Sequence, residues 1–305
     1  MFLLVYGQYN QHLSFKDIEV NMILVTGATG FIGKRLVRRM DAKKAVLMVR
    51  NRIESRFRQR IASLDDENSL YEATKGIEVV IHLAAAVGIV DPAANYRINF
   101  EGTRKLVGAC KKNKVKKIIF LSSVSAVQKK REAYGQSKLQ AEKIIIDSGI
   151  DYVILRPTLV FGESRQFKVI KDIIAKYPVI PIIGSGKSIM QPISVDDLVE
   201  MIIMSLGMKN EIINLAGPSR ITFNQMISKI ASSMGIKKPM LHLPKSLCLI
   251  AAFFLEKALR SPPITRNQVY ALTQDSTTDI SDMLAKFKLK PKTFDDMVKN
   301  FTKCC

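Results

Sequence analysis

The run Ile23-Leu24-Val25-Thr26 leads without a linker into Gly27-Ala28-Thr29-Gly30-Phe31-Ile32-Gly33. An apolar run with no polar face belongs to a strand buried on both sides, the usual state in a parallel sheet. The glycines mark a turn, and Phe31 to Met40 then carries helical periodicity. Gly27 permits the tight turn, Gly30 lets backbone approach a pyrophosphate, and Gly33 lets helix and strand pack closely. Phosphates then sit at the helix N-terminus, beside Thr29, Phe31 and Ile32, where free N–H groups and the macrodipole favour negative charge. Strand, turn and helix in that order make dinucleotide binding the expected role.

Strand and helix signals alternate through the first half of the chain. Strands are expected at 22–26, 45–49, 79–84, 118–122 and 152–156, and helices near 31–40, 67–74, 95–112 and 134–148. That alternation predicts an α/β fold, a Rossmann-type doubly wound parallel sheet. After Arg156-Pro157 the pattern is mixed. Ile189 to Ile193 reads as one short strand, Ser194-Val195-Asp196-Asp197 as a capping box opening a helix to Leu206, and Ile212 to Ala216 as a further strand. Thr222 with Gln225 caps another helix. The expected organisation is a dispensable extension at 1–21, a dinucleotide-binding domain at 22–160, and a smaller α+β substrate lobe at 161–305, intermixed with the sheet.

Tyr134 and Lys138 lie four residues apart on a predicted helix, hence on one face. A phenol ionising near 10 is a poor base at neutral pH, and a cation held beside it favours the phenolate. Lys138 is expected to supply that charge and also to reach a ribose hydroxyl. The pair follows a Ser-Ser at the C-terminal end of the strand at 118–122, the edge where open α/β sheets bind ligands.

These segments resemble the short-chain dehydrogenase/reductase superfamily, in particular its extended, epimerase/dehydratase-like branch. The matches run in the family's order: Thr26 to Gly33, Val79 to Ala85, Asn99-Phe100-Glu101-Gly102-Thr103, Phe120-Leu121-Ser122-Ser123, Tyr134 to Lys138, Arg156-Pro157 and Ser194 to Leu198. The resemblance implies that Ser123 orients the substrate carbonyl, with Ser122 and Ser125 as alternatives. It implies that Asn99 supports the site through the backbone or a bound water; a helix cap is its structural alternative. It also places Leu83, Ala84, Ala85 and Pro157 around the cofactor. The implied activity is hydride transfer at a secondary alcohol or ketone, in a nucleotide sugar or a more apolar, steroid- or flavonoid-like substrate. A non-catalytic dinucleotide-binding subunit, like the accessory subunit of respiratory complex I, is the reading from another class, and the Tyr134/Lys138 pair argues against it.

Three departures from the family pattern narrow the activity. The interval from Ser123 to Tyr134 is short for a nucleotide-sugar epimerase. Val124-Ser125 stands where dehydratases carry an Asp-Glu pair, which argues against sugar dehydration. Met190-Gln191-Pro192 occupies the place where many sugar-nucleotide enzymes have an arginine near the substrate diphosphate. At the end of the second strand, Met48-Val49-Arg50-Asn51-Arg52 offers no carboxylate before Glu54. Arg50 and Arg52 therefore favour NADP over NAD through charge-assisted bonds to the 2′-phosphate.

A formal charge of +20 implies anionic partners or surfaces. The basic residues are spread out rather than interleaved with stacking aromatics, which argues against nucleic acid. Four cysteines, two of them the terminal Cys304-Cys305, form no disulfide framework and point to a reducing cytoplasm. The three histidines are too scattered for a metal motif. The apolar run Leu247 to Leu255 is too short to span a bilayer, which takes about 18 residues or more. Flanked by Lys245, Lys257 and Arg260, it either packs on the substrate lobe or makes peripheral membrane contact within 244–260. A homodimer is the expected assembly.

Overall fold

A computed structural model describes residue 20 and residues 22–87, 92–129, 131–259 and 262–301. The expected extension at 1–21, apart from residue 20 itself, and the terminal cysteine pair lie outside the described residues, as does Arg260.

The chain opens with β1 (Ile23–Thr26), α1 (Phe31–Val37), β2 (Ala45–Val49), β3 (Arg58–Ile61), α2 (Glu67–Thr74) and β4 (Val79–His82). There follow α3 (Pro92–Asn95), a π-helix at Tyr96–Glu101, α4 (Gly102–Lys112), β5 (Lys117–Leu121), a 3₁₀ turn at Val124–Ala126, α5 (Ala133–Ile146) and β6 (Asp151–Pro157). The second half contains β7 (Val160–Phe161), α6 (Arg165–Lys176), β8 (Ile180–Ile183), β9 (Ile189–Met190), β10 (Ile193–Ser194), α7 (Val195–Met204) and β11 (Glu211–Leu215). It ends with β12 (Ile221–Thr222), α8 (Phe223–Ser233), β13 (Met240–Leu243), α9 (Lys245–Ala258), α10 (Arg266–Leu272), α11 (Ser281–Phe287) and α12 (Phe294–Phe301).

Seven strands form one sheet in the order β11-β6-β5-β4-β1-β2-β3, with every neighbouring pair parallel. Strand order reverses between β1 and β4, and at such a switch point the crevice beyond the carboxyl ends is open to a ligand. β1, β2 and β4 are buried at every position, as continuous apolar runs require. Each face has its own core. Leu36, Met40, Leu198, Ile202 and Phe287 cover one face, and Leu70, Leu106, Cys110, Ala141 and Ile145 the other. A third core gathers Phe161, Phe167, Phe223, Phe294 and Phe301 beneath α6, α8 and α12.

Several expectations need correction. β3 reads Arg-Gln-Arg-Ile, and a charged edge strand carries no apolar signal. The segment expected as one helix over 95–112 begins with the π-helix, whose wider turn aims Asn99 inward. Ile189 to Ile193 is two strands: β9 pairs with β12 and β10 with β7, and Pro192 between them has no N–H to continue a ladder. Ser194 caps α7 through Asp196 N alone, because the Asp197 carboxylate accepts from Lys292 N instead of closing the box. The Thr222–Gln225 box is reciprocal, as expected.

Candidate active site

The glycine turn occupies the switch point. Gly27 has φ +70°, and a Cβ there would lie 2.7 Å from Ala84 N. A Cβ on Gly33 would meet the Gly27 carbonyl oxygen at 2.1 Å, so α1 lies directly on the turn. Thr29 and Gly30 are exposed, and the first turn of α1 contains no acidic residue. Its leading N–H groups, through Phe31, Ile32 and Gly33, have no helical partner. This cradle suits an anionic diphosphate, so the residues present fit a dinucleotide. Arg50 and Arg52 are both exposed just beyond β2. Leu83 and Ala84 face the turn from the end of β4, with Ala85 next in the chain; Leu83 N donates to Thr26 O at 3.3 Å and Ala84 N to Thr26 Oγ1 at 3.2 Å. Pro157 closes β6, buried opposite Leu215.

Behind the turn runs an ordered relay that motif matching did not assign. His82 is fully buried between Thr26 Oγ1 at 2.7 Å and Thr103 Oγ1 at 3.0 Å. Thr103 donates to Asn99 O at 2.6 Å, so its oxygen accepts from His82 Nε2–H, and Thr26 donates to His82 Nδ1. Burial, helped by the charge of Lys138, pushes the imidazole down to about 3, which keeps it neutral. The chain from Ala84 N through Thr26, His82 and Thr103 to the Asn99 backbone thus ties β1, β4 and the π-helix together. The apolar flanks of His82 concealed this in the sequence; the hydroxyls at 26 and 103 were the available signal.

Asn99 is buried and clamps the loop after β4. Its Oδ1 accepts from Ala86 N at 2.7 Å, and its Nδ2 donates to Ala86 O at 3.1 Å and Ser137 Oγ at 3.2 Å. It sits inside the π-helix, so the helix-cap alternative is set aside.

Tyr134 and Lys138 stand in the first turns of α5, which is pressed against the 3₁₀ turn after β5. A Cβ on Gly135 would fall 2.3 Å from Ser125 O. Ser123 caps that turn, with its Oγ accepting from Ser125 N and donating to Ser125 Oγ at 3.2 Å. Ser122 is not a substitute for it. Its buried hydroxyl donates to Glu142, whose carboxylate also receives Arg156 Nε at 2.9 Å and Nη2 at 2.5 Å. This buried triad fixes β5, α5 and β6 to one another beneath the site.

The electrostatic expectation for the tyrosine is reversed. Burial pushes the Tyr134 hydroxyl up to about 12 rather than below its ordinary value. Lys138 does not offset this, because its ammonium is turned into the sheet end. Nζ donates to Leu121 O at 2.7 Å and lies 4.4 Å over the Phe120 ring, and burial lowers it to about 7 despite the charge of Glu142. Gln191, in place of the arginine near a diphosphate, is also taken up internally. Its Nε2 donates to Gly217 O at 2.9 Å and its Oε1 accepts from Thr278 N at 3.0 Å.

Residues 23–216 match the model of the NAD dependent epimerase/dehydratase family. The chain belongs to that family. Its members are NAD-dependent enzymes of the short-chain dehydrogenase type. One relative is the Escherichia coli O157:H7 N-acetyl-α-D-glucosaminyl-diphospho-ditrans,octacis-undecaprenol 4-epimerase, 27% identical over 263 residues, 76% of this chain and 78% of the relative. The mouse sterol-4-α-carboxylate 3-dehydrogenase is 22% identical over 80% of this chain and 77% of its own length. Among solved structures, the UDP-glucose 4-epimerase of Thermotoga maritima, determined with UDP-glucose, superposes with TM-score 0.75 at 21% identity, covering 92% of this chain and 97% of that one. The shared family fold accounts for the doubly wound sheet, and the parallel seven-stranded order bears out the expected architecture.

Proposed function

We propose that this family member is a 4-epimerase acting on a sugar carried by a diphosphate, with Tyr134 moving the proton of the sugar hydroxyl. The reading is supported by the packing of α5, which carries Tyr134 and Lys138, against the Ser123 turn at the carboxyl end of β5, on the same sheet edge as the glycine turn. A dinucleotide held by the Gly27–Gly33 turn and the loop at Leu83 and Ala84 would supply reversible hydride transfer at the carbinol carbon. Ser123 holds the carbonyl oxygen, and Tyr134 Oη takes the hydroxyl proton and gives it back. Lys138 would serve this step once its protonated amine turns from Leu121 O to a ribose hydroxyl, where its donors suit that hydroxyl and an ammonium near the phenol favours the phenolate. Asn99 and His82 are positioning residues that hold the loop after β4. A homodimer is proposed as the assembly, in the cytoplasm.

The test is conversion of UDP-N-acetylglucosamine and of a polyprenyl-diphosphate-linked N-acetylglucosamine with no dinucleotide added. An epimerase that keeps its cofactor converts at least one of them, and Tyr134→Phe lowers the rate by about 10²–10⁴-fold while dinucleotide affinity persists. Full activity in Tyr134→Phe would refute the assignment.

A further inference from the structure

The apolar run expected either to pack on the lobe or to meet a membrane packs on the lobe through one face only. α9 buries Cys248 and Ala252 against Val269 of α10 and carries a second apolar face outward. Leu247 is 56% exposed, Ile250 56% and Phe254 63%. Spacings of three and four residues put these side chains on one stripe, with Ala251 between them. No described residue covers that stripe.

The rim of the face is cationic. α9 itself carries Lys245 and Lys257 and one acid, Glu256. Glu256 is consumed internally, accepting from Arg266 N and Arg266 Nε, each at 2.7 Å. Lys257 Nζ lies 4.5 Å over the Phe253 ring and Lys245 Nζ 4.8 Å over Tyr270, so both ammonium groups are held on aromatic flanks of the helix pair. An apolar stripe on a helix whose Lys245 and Lys257 make no ion pair among the described residues complements a bilayer surface with anionic headgroups, where the stripe enters the acyl boundary and the lysines meet phosphates. It complements a second copy of itself poorly, because like charges would then oppose one another. Fourteen residues of helix extend about 21 Å, short of the roughly 30 Å hydrocarbon core. No described helix is long and apolar enough to cross a membrane.

The same lobe leads to the candidate site. After α10 the chain passes Met190 through a bridge at Ser276, and Asp275 O accepts from Gln128 Nε2 at 3.4 Å, just beyond the Ser123 turn. We infer that the exposed face of α9 docks this protein on an anionic lipid surface, lying in the interface and presenting the substrate lobe to it. The inference stands apart from the assignment of Tyr134, since it rests on other residues.

The test is co-sedimentation of the full chain with phosphatidylcholine vesicles and with phosphatidylcholine vesicles containing about one-third phosphatidylglycerol. Binding to the anionic vesicles should exceed that to the neutral ones at least tenfold and be largely released by about 0.5 M salt. A Leu247→Ser/Ile250→Ser/Phe254→Ser variant should lose at least tenfold in binding while its melting temperature and its turnover of a water-soluble substrate are unchanged. Absence of pelleting on either vesicle overturns the inference, as does undiminished binding by the variant. A monodisperse dimer that the variant converts to monomer, without lipid binding by the parent, would reassign the face to self-association. Loss of turnover in Tyr134→Phe with lipid binding intact would concern the catalytic reading alone.

Discussion

At the scale of single residues, the site is assembled from groups held away from their solution behaviour. Lys138 is the clearest case. Its amine titrates near 7 in the fold and near 10.5 when unfolded, so between those values the unfolded chain binds more protons and stability rises with pH. Tyr134 acts in the opposite sense only above about 10, where the unfolded phenol has ionised and the folded one has not. In the dinucleotide-free protein, the difference in unfolding free energy between the parent and Lys138→Met should therefore change steadily in the parent's favour from about pH 7 to 10, measured by denaturant titration. A pH-independent difference would mean that the amine is not desolvated. The expected preference for NADP over NAD would also rest on single side chains, Arg50 and Arg52. Replacing Arg50 and Arg52 together with serine should weaken NADPH by tenfold or more and NADH little, since only NADPH carries a phosphate for the guanidinium groups. Equal losses, measured by calorimetry, would remove that preference. Tyr134 and Lys138 were legible in the sequence from their spacing, and Ser123 and Asn99 through the family resemblance. The direction of the Tyr134 shift was not, because it comes from burial of the phenol in the fold, while the Lys138 ammonium is held by the Leu121 carbonyl over the Phe120 ring.

At the scale of elements, the close approach of α5 to the turn after β5 sets the site's geometry. Gly135 permits it, and an added methyl would stand 2.3 Å from Ser125 O, a backbone atom that cannot swing aside. Gly135→Ala should therefore displace α5 or the Ser123 turn, cutting turnover at least tenfold and costing about 1–3 kcal/mol of stability. Gly108, on α4, has open space where its Cβ would be, and Gly108→Ala should leave turnover intact while adding about 0.5–1 kcal/mol. Equal behaviour of the two alanines in activity and melting measurements would contradict the packing argument. The buried helices and strands were legible because their apolar periods survive in the sequence, as in β2, whose range was anticipated residue for residue. β3 and the π-helix were not. The first is a charged edge strand, and the second differs from an α-helix by one residue per turn within an otherwise helical pattern.

At the scale of the whole molecule, the parallel sheet brings the cofactor turn, the β4 loop and α5 to one edge, and the C-terminal lobe adds an apolar, cation-rimmed helix beyond them. The central claim is that a hydride leaves and returns to the same sugar carbon at this edge. The most direct measurement follows deuterium at the sugar C4 position through conversion of the diphosphate-linked N-acetylglucosamine in ordinary water, read by mass spectrometry of the recovered epimer. The label should be retained in the epimer, with no dinucleotide consumed and with formation slowed about 10²–10⁴-fold by Tyr134→Phe. Loss of the deuterium to solvent, or retention with an undiminished rate in Tyr134→Phe, would contradict it.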